Sequence, residues 1–320
     1  MTHRMIFAAP GMEEEYLGKI REKAEEKGWT VSFFNSAEEA LPYVSEAEII
    51  VSSSPELAAG AAKLRWFCSP FAGVDPFLRP GVFASPDVML SNSSGAYGVT
   101  IAEHVVMTAL EMLRRQAEYA EIVRKREWTR NLTVRSLKDS RITMMGTGDI
   151  GCEITRRMRA FGPRSITGFN RGGKNPENLF DRIVTERALE DVLPETDLLI
   201  MALPATEETR CILNRDRIAL LPDHALIVNV GRGSALDQRA LEKELRAGRL
   251  CAALDVFETE PIPADDSLWD CPNLLITPHT AGNMTLAYTR RRITELFLED
   301  FDNYCAGRPL LRRVDLKKGY

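Results

Sequence analysis

The chain reads as an α/β protein built from two doubly wound parallel-sheet domains, and three observations carry that expectation. Its 320 residues are long for a single hydrophobic core. Short apolar runs alternate with amphipathic stretches almost from end to end, as strand–helix–strand crossovers do. The strand-like runs also fall into two series, separated by a long helical pattern over residues 99–126 with few breakers.

Taken in order, RMIFAA (residues 4–9) is the first expected strand, 13–27 a charged helix and TVSFF (30–34) the second strand. AEIIVSS, LRWFCS and VMLSNS continue the alternation to about residue 92. A second series follows, at 141–145, 165–169, 197–202, 225–230, 250–255 and 273–277, so six strands are expected there. Residues 285–304 read as a helix after the last strand, running back to the first domain. There is no internal repeat and no low-complexity segment.

Composition narrows the classes. With 44% hydrophobic and 27% charged residues the chain has the makeup of a soluble globular protein. A net charge of -5 argues against a nucleic-acid binder. No apolar run is long enough to span a membrane, and the start MTHRMIFAAPGMEEE is too briefly apolar for a signal peptide. Six Cys lie scattered, without a CxxC pair, as buried or surface thiols of a reducing cytoplasm. A cytoplasmic location is the expectation. HExxH, GxSxG and His/Cys ligand clusters are absent, which removes the usual signatures of hydrolysis and metal chemistry.

The segment GTGDIG (146–151) follows a buried strand, RITMM, and opens a helical pattern ending at Gly162. Gly146 and Gly148 suit a tight turn and close backbone approach to a pyrophosphate, and Gly151 suits close helix–strand packing. Asp149 and Ile150 begin the helix, whose unpaired N–H groups and dipole favour phosphate. About twenty residues beyond such glycines an acid usually holds the adenosine ribose. Here the place falls on Asn170 and Arg171, within FNRGGK. Loss of the acid removes a charge that repels a 2′-phosphate, and Arg171, with Lys174 nearby, supplies cations for one. NADP(H) is therefore the preferred cofactor, with NAD(H) possible through Asn170.

Four His permit elimination. His3 lies at the start, His104 inside the long helix in a packed or capped position, and His224 before a strand. Only His279 follows a strand at its carboxyl end, where open parallel sheets bind ligands. By the same rule Arg232 follows the strand ALIVNV and Glu260 the strand ending at Asp255. A guanidinium grips a carboxylate with two hydrogen bonds. An imidazole kept protonated by a neighbouring acid donates to a ketone oxygen as hydride reaches carbon. These parts suit reduction of a 2-oxo acid.

With FAGVD (71–75), TIAEH (100–104), GTGDIG, LPATEETR (203–210), NVGRG (229–233), ALDVFETEP (253–261) and TPHTAG (277–282), the sequence resembles the D-isomer-specific 2-hydroxyacid dehydrogenase family over essentially its full length. The family's catalytic Arg, Glu and His match Arg232, Glu260 and His279. The resemblance implies a Rossmann-type cofactor domain (99–283) inserted in a discontinuous, flavodoxin-like substrate domain (1–98 and 284–320). It implies substrate carboxylate binding at Ala72 and Gly73, a nicotinamide contact at Asp255 and a pyrophosphate contact at Thr209. Through the same motifs Thr100, Leu203, Pro204, Val230 and Gly282 are cofactor-site candidates. Tyr97 and Trp128 are candidates beside the substrate side chain. A homodimer with a hinged cleft is also implied. The formate-oxidising branch carries Gln in place of Glu260, so formate is not expected, and neither is the regulatory domain of many phosphoglycerate dehydrogenases. The rival reading is a nucleotide-sensing, corepressor-like protein on the same fold.

Overall fold

In the computed structural model, which describes residues 3–319, the chain divides into two units. One joins the described residues up to Tyr97 with those from Asn283 onward, and the other is Gly98–Gly282.

Five short strands make the sheet of the first unit: β1 (His3–Ala8), β2 (Trp29–Phe33), β3 (Ile49–Ser52), β4 (Trp66–Cys68) and β5 (Met89–Ser91). All pairs are parallel and the order is β2-β1-β3-β4-β5, the flavodoxin-like arrangement. Period-two alternation sends Ile6 and Ala8 of β1 into one core cluster and Met5 and Phe7 into another, so both faces are buried. The return helix Ala287–Cys305 covers the second face. On that side Trp66 stacks on Phe297 with ring centroids 5.4 Å apart and donates from Nε1 to Ser91 Oγ at 2.8 Å. Buried Asp300 on the same helix accepts from Leu311 N at 2.6 Å and Arg312 Nε at 3.1 Å. Val314 N then donates to Leu90 O at 2.8 Å, which stitches the chain end to the edge of β5.

Seven strands, one more than expected, form the sheet of the second unit: β6 (Arg141–Met145), β7 (Ser165–Phe169), β8 (Arg182–Val184), β9 (Leu198–Met201), β10 (Leu226–Asn229), β11 (Cys251–Leu254) and β12 (Leu274–Ile276). The order is β12-β11-β10-β9-β6-β7-β8, parallel throughout. The added strand, β8, has three residues and only Val184 buried, so it lacked the apolar run that marks the others. The chain leaves β6 toward β7 and β8, then returns to the far side of β6 as β9. That reversal places the binding crevice of a doubly wound sheet beyond the carboxyl ends of β6 and β9.

The helical pattern at 99–126 resolves into two helices, Gly98–Leu113 and Gln116–Arg124, broken at Arg115, whose φ is 53°. Neither Gly nor Pro marks that break in the sequence. The first of these helices packs against helix Asp149–Arg159 closely enough that a Cβ on Gly98 would stand 2.5 Å from Asp149 Oδ2. Among the described residues no helix is long and apolar enough to cross a membrane.

Candidate active site

The crevice is shaped first by glycines. Gly146, directly after β6, has φ of 100°, and a Cβ there would lie 2.5 Å from Ala202 O, at the end of β9. A Cβ on Gly151 would fall 1.9 Å from Gly146 O. Any side chain at either place would push the helix off the strand. Gly148, the residue that caps helix Asp149–Arg159, is different: a Cβ there would meet nothing within 4 Å. Its bare backbone faces open space at a helix N-terminus, which is the form of a phosphate cradle. Asp149 and Ile150 form the first turn of that helix.

Asn170 lies one residue past β7. Its Nδ2 donates to Thr147 Oγ1 at 2.7 Å and to Lys174 O at 2.8 Å, which ties the glycine loop to the RGGK loop. Its Oδ1 is buried and has no hydrogen-bond partner among the described residues. A buried carbonyl oxygen with no donor is costly, and a ribose hydroxyl is a donor of the kind it lacks. The residues present therefore fit a bound dinucleotide. Arg171 and Lys174 are exposed. The Glu208 carboxyl is held below its usual range, chiefly by its own backbone and Thr206, with the Arg171 charge adding to the effect. Thr209, three residues after Thr206 in the loop that follows β9, gives its hydroxyl hydrogen to Pro204 O at 2.6 Å and accepts from Thr206 N at 2.9 Å, so it shapes that loop. Leu203 and Val230 are buried, Thr100 is buried in the first turn of helix Gly98–Leu113, and Gly282 ends the unit.

The three candidate catalytic side chains follow three neighbouring strands, β10, β11 and β12. Glycines on both sides of Arg232 let its loop press onto others: a Cβ on Gly231 would sit 2.6 Å from Leu203 N, and one on Gly233 only 1.9 Å from Phe257 C. The Asn229 side chain clasps the same turn, accepting from Gly231 N at 3.0 Å and donating to Arg232 O at 3.0 Å. Glu260 is fixed through Oε1, which accepts from Phe257 N at 2.8 Å, and its Oε2 lies 2.7 Å from His279 Nδ1. With Nδ1 engaged by the carboxylate, Nε2 is the nitrogen left for proton exchange. The imidazole is half exposed in this unit, so Nε2 has access to a ligand.

His279 itself has φ of 52°, an uncommon conformation for a non-glycine residue. Asp255 holds it there. This carboxylate, 3% exposed, accepts from Thr277 Oγ1 at 2.6 Å, Thr280 N at 2.8 Å and Ala281 N at 3.0 Å. Beyond Thr277 stands His104, whose Nε2 is 3.2 Å from the hydroxyl oxygen and 3.9 Å from Asp255 Oδ1. Sequence reasoning gave His104 a packed or capped role. The residues it serves lie 173 positions away in the chain, and no local pattern announces such a contact.

In the first unit, the loop Ser69–Val74 leaves β4. Asn92 Nδ2 donates to Ala72 O at 2.7 Å, Ser93 Oγ to Ser69 O at 3.1 Å, and Ser69 Oγ accepts from Phe71 N at 3.2 Å. Tyr97, expected beside the substrate, is instead 3% exposed and donates its hydroxyl to Pro70 O at 2.8 Å. Its ring is apolar enough to bury and its hydroxyl finds a carbonyl, so it braces the loop from beneath. Trp128 is 88% exposed in a stretch without regular structure.

A doubly wound sheet with an open glycine-capped helix N-terminus at its reversal, and an Arg, Glu and His after adjacent strands, has the layout that suits a nicotinamide-dependent oxidoreductase. Residues 106–281 match the model of the D-isomer specific 2-hydroxyacid dehydrogenase, NAD binding domain, and the chain belongs to that family. A glyoxylate reductase of Aeropyrum pernix is 31% identical over 230 residues, covering 69% of this chain and 68% of that one. A solved D-isomer specific 2-hydroxyacid dehydrogenase family protein from Aeromonas salmonicida superposes with a TM-score of 0.88 at 30% identity, over 99% of this chain and 100% of that one. An NADPH-dependent glyoxylate/hydroxypyruvate reductase from Sinorhizobium meliloti, solved with NADP and sulfate, has a TM-score of 0.83 at 28% identity, with 99% and 100% covered.

Burial lowers the pKa of His104, with the Asp255 and Glu111 charges opposing. The folded protein therefore resists protonating this ring. The unfolded chain binds more protons than the native one below the ordinary value of 6.5, so this group's contribution to stability falls as pH drops through it. The free energy of urea unfolding should decline from about pH 7 to about pH 5, and His104→Gln should flatten that decline. An equally steep decline in the variant would mean that His104 is not the titrating group.

Proposed function

We propose that this protein reduces small 2-oxo acids to D-2-hydroxy acids, with NADPH preferred over NADH and with Arg232, Glu260 and His279 as the catalytic set. The observation that carries the reading is the 2.7 Å hydrogen bond from His279 Nδ1 to Glu260 Oε2 at the strand end next to Arg232. When bound, the reduced nicotinamide supplies hydride to the carbonyl carbon. Arg232 grips the substrate carboxylate and sets the carbonyl in line. His279 Nε2 gives its proton to the carbonyl oxygen as negative charge develops there. Glu260, tied down by Phe257 N, keeps the ring oriented through Nδ1. In the oxidative direction the neutral ring takes the proton back.

The glycine cradle would hold the pyrophosphate of the cofactor, Asp255 would meet its carboxamide, and the Ala72–Gly73 peptide groups would serve as a second carboxylate-binding element. The RGGK loop supports NADPH: an amide stands where an acid would repel a 2′-phosphate, and Arg171 and Lys174 are exposed beside it. The NADPH-dependent relative from Sinorhizobium meliloti supports the same choice. We place the enzyme in the cytoplasm as a homodimer.

Loss of reduced-nicotinamide absorbance in a panel of 2-oxo acids, glyoxylate and hydroxypyruvate included, tests the activity directly. His279→Ala should lower turnover by about a hundredfold or more while cofactor binding survives. Near-normal turnover in that variant would take His279 out of the reaction. For the cofactor, Arg171→Ala should weaken NADPH binding about ten- to a hundredfold, the scale of one charge-assisted hydrogen bond, and leave NADH almost unchanged. Wild-type saturation by NADH at lower concentration than NADPH, at equal turnover, would reverse the assignment. Light scattering should give twice the 35.9 kDa chain mass, and a monomer at micromolar concentration would exclude the homodimer.

A further inference from the structure

His279 is held in a left-handed conformation, with φ of 52°, by groups that converge on one buried carboxylate. Its own N–H donates to Asp255 O and Thr277 O, both at 3.0 Å, and the next two N–H groups reach the Asp255 side chain. Asp255 Oδ1 takes Thr280 N and the Thr277 hydroxyl, while Oδ2 takes Ala281 N. The turn can keep this shape only while the carboxylate keeps its position, and Thr277 is the side chain that fixes Oδ1 from the strand side.

Thr277 spends its single hydroxyl hydrogen on Asp255, at 2.6 Å. Its oxygen is then purely an acceptor, and His104 Nε2 stands 3.2 Å away. For that contact to be a hydrogen bond, Nε2 must carry the hydrogen. The ring projects from helix Gly98–Leu113 and its side chain is 11% exposed. A neutral ring fits the setting: burial disfavours its charged form, and a neutral Nε2–H donates to Thr277 without drawing the carboxylate away from the turn.

We infer that His104, as the neutral Nε2–H form, is a positioning residue for the catalytic turn, acting through the relay His104–Thr277–Asp255 that holds the backbone on either side of His279. The relay joins the helix that opens the second unit to the loop after its last strand. It gives a role to a polar ring that is largely buried on this helix, next in sequence to buried Val105. The turnover part of the inference rests on the proposed role of His279 in proton transfer; the ordering of the turn does not.

Two readouts test it. Amide hydrogen exchange at Thr280 and Ala281, followed on the full-length protein, should speed up about fivefold in His104→Leu, the scale of one neutral hydrogen bond. Thr277→Val should do the same, and the double variant should be no worse than either single one, since both break the same relay. His104→Gln, which keeps an N–H donor on a side chain of similar reach, should restore slow exchange. In the reductase assay the Leu variant should lose about three- to tenfold in kcat, with NADPH binding within about threefold of wild type, and Gln should recover most of it. Exchange in His104→Leu within twofold of wild type, a double variant whose effects multiply, or a Gln variant no better than Leu would each overturn the relay. If the wild-type protein reduces no 2-oxo acid, the proposed function fails, and the exchange measurements still decide the relay by themselves.

Discussion

The site depends on one geometric constraint: three parallel strands, β10, β11 and β12, end at the same edge of a sheet, and the loops after them must come within hydrogen-bond reach. Strand spacing alone brings such loops near one another. Contact needs the removal of side chains where backbones cross. Gly231 and Gly233 do this, with the Arg232 loop pressed against Leu203 on one side and Phe257 on the other. Because Phe257 N in turn holds Glu260 Oε1, the position of the guanidinium loop and the orientation of the carboxylate are parts of one packed unit.

Electrostatics completes what packing begins. Asp255 is a buried carboxylate, and among the described residues its hydrogen bonds come from a hydroxyl and two backbone N–H groups. These three hydrogen bonds draw the chain after β12 into a turn that a free peptide would avoid. The energy gained at Asp255 offsets the left-handed conformation at His279. The residue that the resemblance assigned to the nicotinamide thus has an earlier task, that of building the turn on which the imidazole stands.

The RGGK loop shows a similar division of labour. Asn170 uses both amide hydrogens inside the protein, on Thr147 and Lys174 O, so it fastens the two loops that would flank an adenosine ribose. Only its carbonyl oxygen is left for a ligand. Discrimination between cofactors then falls to charge: the acid is missing and Arg171 and Lys174 are present. An aspartate at 170 could not donate either hydrogen bond, which would loosen the loop as well as add a repelling charge.

The sequence by itself determined the parallel architecture, the reversal point marked by GTGDIG, and the three strand ends that carry Arg232, Glu260 and His279. It could do so because apolar periodicity and glycine placement are local signals, and the carboxyl-end rule turns chain order into position. β8 escaped because three residues with one buried position leave no pattern, and the break at Arg115 escaped because no Gly or Pro marks it. Tertiary structure alone decided the rest. Tyr97 braces a loop through Pro70 O, and Thr209 closes a turn through Pro204 O. His104 meets Thr277 from 173 residues away. A hydrogen bond depends on a few tenths of an ångström and on which atom holds the hydrogen, and those quantities exist only once the helices are packed on the sheet.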